Sequence, residues 1–493
     1  MAGKGKRDEK KITARSEDYS QWYHDIILRA ALADYAPVKG CMVIRPHGYA
    51  IWELIQSHLD TEFKKTGHEN AYFPLFIPES FIEREKEHFE GFAPECAVVT
   101  EGGGEKLAEK LYVRPTSEMI IWSMIKKWVQ SYRDLPLLLN QWCNVVRWEK
   151  RTRLFLRTSE FLWQEGHTAH ENEEQAREET MQMIGVYRDF AQDVMAVPVY
   201  WGRKTENEKF KGAVDTYSIE AMMQDGKALQ AGTSHYLGEN FARAFDVQYQ
   251  SRDKKLEYPH SSSWGVSTRL VGALIMAHSD DQGLILPPLL APQQVVIVPI
   301  YRKDDEKGPV LAECNAVLSA LQKDLRVRID DREELSPGFK FNEWELKGVP
   351  LRVEVGPKDL EKGQLCLAKR FGEFPDGKRK QFLSRNEALA SVPDLLGKMQ
   401  QELFDRALEF RNSRTATIDS LDEFENYFRA DNAESGFALC HWCGDEACEK
   451  ALSDKFKTTI RCIPDESHGT IEDGTCIHCN GPSDRRVVLA HAY

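Results

Sequence analysis

Between Tyr19 and about Leu290, segments whose hydrophobic residues repeat with helical spacing alternate with short segments that are typical of strands. Residues 49–65 place Ile51, Leu54, Ile55 and Leu59 on one face, which predicts an amphipathic helix. Short β-rich runs predict strands at residues 70–78 (broken by Pro74), 137–148, 159–167, 197–201 and 216–221. Because these strands follow one another without a regular strand–helix–strand repeat, we expect an antiparallel sheet with helices packed on it.

The pattern changes after a proline-rich linker near Ala291. Buried strands at residues 295–300, 326–330 and 351–355 alternate with helices at 308–323 and 337–346, which is typical of an α/β unit with a parallel sheet. A helical stretch over 395–414 then leads into a cysteine-rich tail. We therefore expect a flexible basic arm at 1–18, an α+β domain at 19–290, an α/β domain at 291–395 and a small α+β domain at 396–493.

Composition narrows the class of protein. The chain has 493 residues, 42% of them hydrophobic, as in ordinary globular proteins with several domains. Its net charge of −13 argues against polyanion binding through bulk charge, so contact with nucleic acid must be local. The most apolar run, residues 285–300, is short and contains four prolines, and no signal peptide is evident. These features predict no membrane segment and a reducing cytoplasmic location.

One segment stands out against this acidic background. Residues 144–157 carry five basic side chains and one acidic side chain between two predicted strands. An arginine held on a strand can donate two hydrogen bonds to a phosphate or carboxylate, which a lysine cannot reproduce. The segment therefore predicts a phosphate-binding hairpin, although a solvated basic turn would share its composition.

The hairpin resembles motif 2 of the class II aminoacyl-tRNA synthetases. Residues 67–78 resemble motif 1, which ends in a proline, here Pro74, and forms a dimer interface; residues 265–272 resemble motif 3. The resemblance implies ATP as substrate, an antiparallel catalytic sheet and a homodimer. It assigns catalytic roles to Arg147 and Arg269. ATP-binding roles fall to Arg147, Glu149, Leu156, Arg157, Phe161, Gln230, Thr233, Ser267 and Arg269.

Further stretches are similar to those of the prolyl-tRNA synthetases, a class II family. They are residues 114–118, 139–149, 162–167, 202–210 and 230–235. By this resemblance, proline would be bound by Thr116, Glu118, Arg147, Trp163, Glu165, His167, Phe210 and His235. Aromatic walls suit a pyrrolidine ring, and a carboxylate suits its ammonium group.

The resemblance also implies a reaction that needs little covalent chemistry from the protein. Proline would attack ATP to give prolyl-adenylate, and the terminal adenosine of tRNA(Pro) would take the prolyl group. Mg²⁺ would assist, with Glu220 as a candidate ligand. Only 95 positions separate His167 from Ser262, which leaves no room for an editing domain. The chain therefore resembles the archaeal and eukaryotic type of enzyme.

Residues 337–360 resemble the anticodon-binding domain shared by several class II synthetases. The proline anticodons end in two guanines, which suit a carboxylate and a guanidinium as hydrogen-bonding partners. We expect Glu345 and Arg352 to read these bases, with Phe341 as a stacking platform; otherwise Phe341 is core and Glu345 a surface charge. Residues 362–380 carry six basic and two acidic side chains, which suits the tRNA backbone.

The cysteine-rich tail predicts a metal site. Six of the eleven cysteines lie in the last 54 residues, and Cys443, Cys448, Cys476 and Cys479 form two close pairs across a loop. Four thiolates in this arrangement suit structural zinc. Cys440, His441 or His478 could replace one ligand on spacing alone; the resemblance favours the four named cysteines.

Two other functions are compatible with these motifs. One is a class II synthetase for another amino acid, such as threonine or serine. The other is a synthetase-like protein that binds tRNA for regulation without charging it. Such proteins usually lose the arginines of motifs 2 and 3, whereas Arg147 and Arg269 are both present.

Overall fold

A computed structural model describes residues 12–84, 96–429 and 432–493. The chain divides into two compact units. The first comprises the described part of residues 1–34 together with 44–54 and 274–403, and the second comprises 35–43, 55–273 and 404–493. Both units mix helices with sheets, and the residues predicted to bind proline and ATP lie in the second.

The described helices are named here in chain order. They are α1 (Tyr19–Arg29), α2 (Pro46–Lys65), α3 (Glu79–Arg84), α4 (Glu118–Trp128), α5 (Glu173–Asp189), α6 (Asn240–Ala244), α7 (Arg269–His278), α8 (Asp304–Leu321), α9 (Pro337–Leu346), α10 (Pro357–Glu361), α11 (Arg385–Ser413), α12 (Leu421–Tyr427) and α13 (Glu446–Phe456). A π-helical turn, Phe190–Val194, continues α5, and single 3₁₀ turns lie at Tyr132–Asp134, Pro288–Leu290 and Glu466–His468.

The described strands follow the same order. They are β1 (Ala33–Tyr35), β2 (Met42–Ile44), β3 (Glu69–Asn70), β4 (Phe76–Pro78), β5 (Val98–Gly102), β6 (Glu105–Val113), β7 (Leu137–Val146), β8 (Glu160–His170), β9 (Val199–Arg203), β10 (Asp215–Met222), β11 (Ala228–Gly238), β12 (Tyr249–Gln250), β13 (Leu256–Glu257), β14 (His260–Ser267), β15 (Val295–Pro299), β16 (Val327–Ile329), β17 (Leu351–Val355), β18 (Gln364–Lys369), β19 (Lys380–Ser384), β20 (Thr415–Ile418), β21 (Phe437–His441), β22 (Thr459–Pro464), β23 (Ile471–Thr475) and β24 (Pro482–Ala490).

The second unit is organised around one large sheet. Its central strands run β9-β10-β11-β14-β8-β7, and each neighbouring pair is antiparallel. The antiparallel sheet predicted from the strand pattern is therefore confirmed. α5 packs across β11 and β14, where Tyr187 is buried against Trp264. A Cβ at Gly166 would come within 2.1 Å of the Trp264 ring, so glycine permits this close packing.

The C-terminal strands extend the same sheet. β22 pairs antiparallel with β9, where Ile463 lies opposite Arg203 and Pro464 opposite Gly202. A Cβ at Gly202 would lie 2.0 Å from the carbonyl oxygen of Ile463, so only glycine allows this approach. The tail, with β20–β24, α12 and α13, is thus an α+β segment that shares hydrogen bonds with the large sheet.

The first unit contains a five-stranded sheet in the order β16-β15-β17-β18-β19. The predicted strands pair in parallel, β15 with both β16 and β17, whereas β18 and β19 add an antiparallel edge that the sequence pattern did not predict. The helix predicted at 395–414 is α11, which begins at Arg385 and contains Pro393. That prediction was therefore about ten residues short at its start.

The prediction of a flexible arm over residues 1–18 was wrong for residues 12–18. Residues 1–11 lie outside the described part of the chain. Ile12 is buried, and Thr13 donates hydrogen bonds to Asp25 from its backbone and its hydroxyl. Arg15 pairs with Asp281 at 3.0 Å. Residues 12–18 are thus fixed by these contacts. Among the described helices, none is both long and apolar enough to cross a membrane.

Candidate active site

A cavity of about 300 Å³ opens on one face of the large sheet. Strands β8, β10, β11 and β14 supply most of its lining, and the segment between β9 and β10 closes one side. Its lining includes these residues from the predicted sites: Thr116, Glu118, Arg147, Phe161, Trp163, Glu165, His167, Phe210, Gln230, Thr233, His235, Ser267 and Arg269. Residues predicted from separate sequence motifs are thus brought to one place.

A buried carboxylate network forms one end of the cavity. Glu165 accepts hydrogen bonds from the Ser117 backbone N–H (3.2 Å) and from Gln141 Nε2 (2.9 Å). Its Oε2 lies 3.2 Å from His167 Nε2, and Thr116 Oγ1 donates to Glu118. One carboxylate oxygen of Glu118, one of Glu165 and one ring nitrogen of His167 all lie within 4.8 Å of one another. This end of the cavity therefore offers carboxylate oxygens that are held in a fixed geometry.

Glu165 and His167 form an ion pair. Burial alone would raise the pKa of Glu165, but its hydrogen bonds with His167, Ser117 and Gln141 hold that pKa below its ordinary value. Burial alone would lower the pKa of His167, but the hydrogen bond to Glu165 and the charge of Glu118 raise it. With the pair mutually neutralised, the Glu118 carboxylate can face a cationic ligand group.

Aromatic rings stand beside these carboxylates. The Phe210 and His235 rings lie 4.9 Å apart, and Trp163, on strand β8, lines the same cavity. Thr216 joins the first two, because its Oγ1 accepts from the Phe210 backbone N–H at 3.1 Å and lies 2.9 Å from His235 Nδ1. Flat apolar walls next to a buried carboxylate suit a small ring that bears an ammonium group.

Arginines form the opposite end of the cavity. The Arg147 guanidinium lies over the rings of Phe161 (5.6 Å) and Trp163 (5.2 Å), and its Nε donates to the Pro115 carbonyl at 3.0 Å. Arg269, the first residue of α7, donates to the Leu156 carbonyl at 3.3 Å. Burial, followed by the charges of Arg157 and Arg147, lowers the pKa of Arg269 to about 10. Guanidinium groups that repel one another in this way suit a polyanionic ligand such as a triphosphate.

The other residues predicted to bind ATP surround these arginines. Glu149 pairs with the exposed Arg157 at 3.3 Å. Ser267 Oγ accepts from the Arg269 backbone N–H at 3.2 Å, and the Gln230 carbonyl lies 3.5 Å from Arg269. Thr233 lines the same cavity, whereas the Leu156 side chain is buried and contributes its carbonyl.

The structure argues against Glu220 as a magnesium ligand. Its side chain is fully buried, and Oε1 accepts from Lys204 Nζ (2.9 Å) and Ser218 Oγ (2.8 Å). Arg461 Nε donates to Oε2 at 3.0 Å. Burial alone would raise the pKa of Glu220, but the charges of Arg461 and Lys204 keep it low. Two cations thus already neutralise this carboxylate, so it lacks the open oxygen that a metal needs.

The four tail cysteines converge on one point. Cys443 follows β21, Cys448 lies on α13, and Cys476 and Cys479 follow β23; their sulfur atoms all lie within 4.8 Å of one another. The Cys443 sulfur lies 3.7 Å from that of Cys448 and 3.6 Å from that of Cys479. A tetrahedral zinc site with Zn–S bonds of about 2.3 Å needs S···S distances of ~3.8 Å. The donor set and its spacing therefore fit zinc.

Two other cysteines of the tail, the spacing alternative Cys440 and Cys462, lie in apolar cores. Cys440 is buried on β21 in an apolar core with Ile460 and Leu489, and Cys462 is buried on β22. Gly444 adopts φ +86° directly after Cys443, a conformation that favours glycine and turns the chain into α13.

The residues predicted to read the anticodon form a cluster in the first unit. Arg352 donates to Glu345 (2.8 Å) and Glu354 (2.9 Å), and its guanidinium lies 4.1 Å from the Phe341 ring centre. Lys380 also lies over that ring, at 5.2 Å, and Phe341 packs partly against an apolar core. The Phe341 ring is therefore covered by cations, which does not favour its role as an open stacking platform.

Comparisons with known proteins agree with this geometry. Residues 100–278 match the tRNA synthetase class II core domain (G, H, P, S and T), 294–395 the anticodon binding domain, and 423–493 the C-terminal domain of prolyl-tRNA synthetase. The chain is 58% identical to Proline--tRNA ligase from Chlorobium chlorochromatii and from Chlorobium luteolum, and 56% identical to that from Chlorobaculum tepidum. Each match covers 98% of this chain and 99% of the relative. The chain belongs to the prolyl-tRNA synthetase family.

Within this prolyl-tRNA synthetase fold, several residues at the cavity were missed by the sequence analysis. Gln141 and Ser117 hold Glu165, Thr216 holds Phe210 and His235, and Glu208 lines the cavity. Strand register could have revealed Gln141, which lies directly opposite Glu165 on β7, and Thr216, which lies opposite His235. Glu208 lies on a connecting segment whose path no local pattern specifies.

Proposed function

We propose that this chain activates proline with ATP to form prolyl-adenylate, and then transfers the prolyl group to the 3′-terminal adenosine of tRNA(Pro). One observation carries the proposal. A single cavity places the buried carboxylates of Glu118 and Glu165 at one end and the guanidinium groups of Arg147 and Arg269 at the other. An amino acid with its ammonium at the first end has its carboxylate directed toward a nucleotide phosphate at the second.

Proline recognition is assigned to the carboxylate end. Glu118, with Thr116 fixing its orientation, would pair with the secondary ammonium, while the Glu165–His167 pair fixes the base of the cavity. The rings of Trp163, Phe210 and His235 would enclose the pyrrolidine. Membership in the family supports these assignments, as does the tight hydrogen bonding that keeps the polar groups in place.

ATP recognition is assigned to the arginine end. Arg147 would bind the α-phosphate and the proline carboxylate together, with Phe161 and Arg269 on either side of adenine and Glu149 at its amino group. Arg157, Gln230, Thr233, Ser267 and the Leu156 carbonyl would contact the rest of the nucleotide. Holding the carboxylate in line and neutralising phosphoryl charge would lower the barrier without a covalent protein intermediate.

The metals have different roles in this proposal. Mg²⁺ would accompany ATP and neutralise its phosphates, without Glu220 as a ligand. Zinc would bind Cys443, Cys448, Cys476 and Cys479 and fix the tail. A reducing cytoplasmic location is proposed together with this site, since the four thiols must stay reduced to bind the metal.

Recognition of tRNA(Pro) is assigned to the unit that matches the anticodon binding domain. Glu345 and Arg352 would exchange their mutual hydrogen bond for bonds to the anticodon guanines, while Phe341 orients Arg352 beneath them. Lys380, which also contacts Glu354, would add positive charge beside them.

The first test is the amino-acid dependence of ATP–pyrophosphate exchange. Purified protein should exchange label between pyrophosphate and ATP when proline is added, and not when threonine or serine replaces it, because the cavity is small and ringed by aromatic groups. Exchange supported by threonine or serine would instead assign the chain to another specificity. A protein that binds tRNA(Pro) without any exchange would have the regulatory function.

A homodimer is proposed from the motif 1 region. Tyr72, Phe76 and Val98 are exposed on or beside the sheet β4-β6-β5, and exposed apolar side chains grouped in this way mark association surfaces. Sedimentation equilibrium should give twice the chain mass of 56.5 kDa. Phe76→Glu should shift the protein to monomer, whereas Leu256→Glu, at an exposed apolar side chain outside that sheet, should not. A monomeric wild type would contradict the proposal.

A further inference from the structure

The segment that closes the amino-acid end of the cavity connects β9 to β10. This pocket loop, residues 204–214, carries two side chains that line the cavity, Glu208 and Phe210. At its far end, the Phe210 backbone is held by Thr216. The start of the loop must also be fixed if Phe210 is to stay against the site, because unrestrained loops adopt many conformations.

The start of the loop is held by the C-terminal tail. Glu449, on α13, accepts one hydrogen bond from Thr205 Oγ1 at 2.7 Å and a second from Asn207 Nδ2 at 2.9 Å. Glu449 is only 5% exposed and Thr205 only 2% exposed. A buried carboxylate oxygen that has no hydrogen bond costs free energy. The two oxygens of Glu449 therefore favour the loop conformation in which Thr205 and Asn207 stay bonded to them.

A second connection fixes the residue before Thr205. Lys204 Nζ donates to the Arg461 carbonyl of β22 at 2.6 Å and to Glu220 at 2.9 Å, and Arg461 in turn donates to Glu220. The first residues of the loop therefore make three contacts with the tail, through Lys204, Thr205 and Asn207. The tail elements β22 and α13 provide the partners. Phe210 lies only three positions after Asn207.

Resting on the proposed function, we infer that Glu449 is a positioning residue for proline recognition. By holding Thr205 and Asn207, it sets the position of Phe210 and Glu208 at the amino-acid end of the cavity. Glu449 lines no part of that cavity, so its effect passes through the loop. The arginine end is held by separate elements, the motif 2 hairpin and α7, and does not depend on this contact.

The test compares KM values for proline and for ATP in pyrophosphate exchange. Glu449→Ala should raise the KM for proline about tenfold, because a hydrogen-bonded charged clamp is lost, and should leave the KM for ATP within about twofold. Glu449→Gln, which keeps one acceptor oxygen, should fall between. The matched control is Glu446→Ala, at an exposed glutamate on the same helix, which should change neither KM.

A variant on the loop side guards against a folding defect. Thr205→Val has nearly the same shape and removes the hydroxyl, which donates to Glu449 and accepts from the Glu208 backbone N–H at 3.3 Å, so it should raise the KM for proline in the same direction. In the double variant Glu449→Ala/Thr205→Val, the rise in the KM for proline should be smaller than the product of the two single rises, since both substitutions remove the Thr205–Glu449 hydrogen bond. Thermal unfolding of each variant should stay close to that of wild type.

Two results would overturn this inference. One is an unchanged KM for proline in both Glu449→Ala and Thr205→Val. The other is an equal rise in the KM values for proline and ATP, which would mean that Glu449 only stabilises the fold. Failure of the proposed function gives a different result, because the wild-type protein would then show no proline-dependent exchange at all.

Discussion

Replacing Arg147 by alanine is expected to reduce proline-dependent pyrophosphate exchange by about 10³-fold or more. In the proposed function Arg147 binds both substrates, and in the structure it lies over Phe161 and Trp163 and donates a hydrogen bond to the Pro115 carbonyl. Without it, neither the proline carboxylate nor the α-phosphate would have the planar, doubly donating partner that the proposed function assigns to them. Arg147→Lys keeps the charge but loses that geometry, so its activity should be intermediate.

The control is Arg151→Ala, which removes the same charge from an exposed position in the same hairpin. Its exchange activity should remain close to that of wild type. The circular dichroism and thermal unfolding of Arg147→Ala should match those of wild type, since strands β7 and β8 pair through their backbones. Turnover by Arg147→Ala comparable to that of Arg151→Ala would rule out the assigned role.

Strand pairing explains which parts of the fold were predictable. β7 and β8 are β-rich runs, so their existence follows from local composition, and their antiparallel pairing agrees with the lack of a helix between them. The prediction missed their ends, because a strand ends where its partner ends. The unpredicted strands β18 and β19 lie in and beside a segment that was interpreted by its basic charge, although residues 365–368 of β18 form an apolar run and the strand is almost wholly buried.

Glu220 shows why some site residues cannot be assigned from sequence. Its place on a strand expected to face the phosphates made it a candidate magnesium ligand, and Thr216 of that strand does line the cavity. The residues that neutralise it, however, are Lys204, which is 16 positions away, and Arg461, which is 241 positions away. The role of a carboxylate depends on its counterions, and no local pattern shows which distant strand supplies them.

For the four-cysteine cluster of the tail, the spacing of the residues along the sequence was more informative than it was for Glu220. Two close pairs of cysteines predicted a closed site, and the four sulfur atoms do converge. Cys440, which spacing could not exclude, is removed from the set by strand geometry, because it points into the core of the tail. Sequence thus indicated the kind of site, whereas the sheet decided between neighbouring cysteines.

Cys448→Ser is expected to lose the zinc that wild-type protein should carry at about one ion per chain, as measured by metal analysis. Structural zinc with four thiolates contributes folding free energy of ~10 kcal/mol or more in small domains, so the tail should also unfold at a lower temperature and become sensitive to protease. Cys440→Ala is the matched control and should keep its zinc. Zinc bound equally by Cys448→Ser, or no zinc in wild type, would contradict the assignment.

Helix α13 carries both a proposed zinc ligand and the residue that holds the pocket loop. Cys448 and Glu449 are adjacent on α13, yet one faces the sulfur cluster and the other the pocket loop. Glu449→Ala should therefore keep its zinc and lose only affinity for proline. Cys448→Ser should lose both, because α13 can hold Thr205 and Asn207 only while the helix itself is fixed. Retained proline affinity in zinc-free Cys448→Ser would mean that β24 and β22 hold the tail in place without the metal.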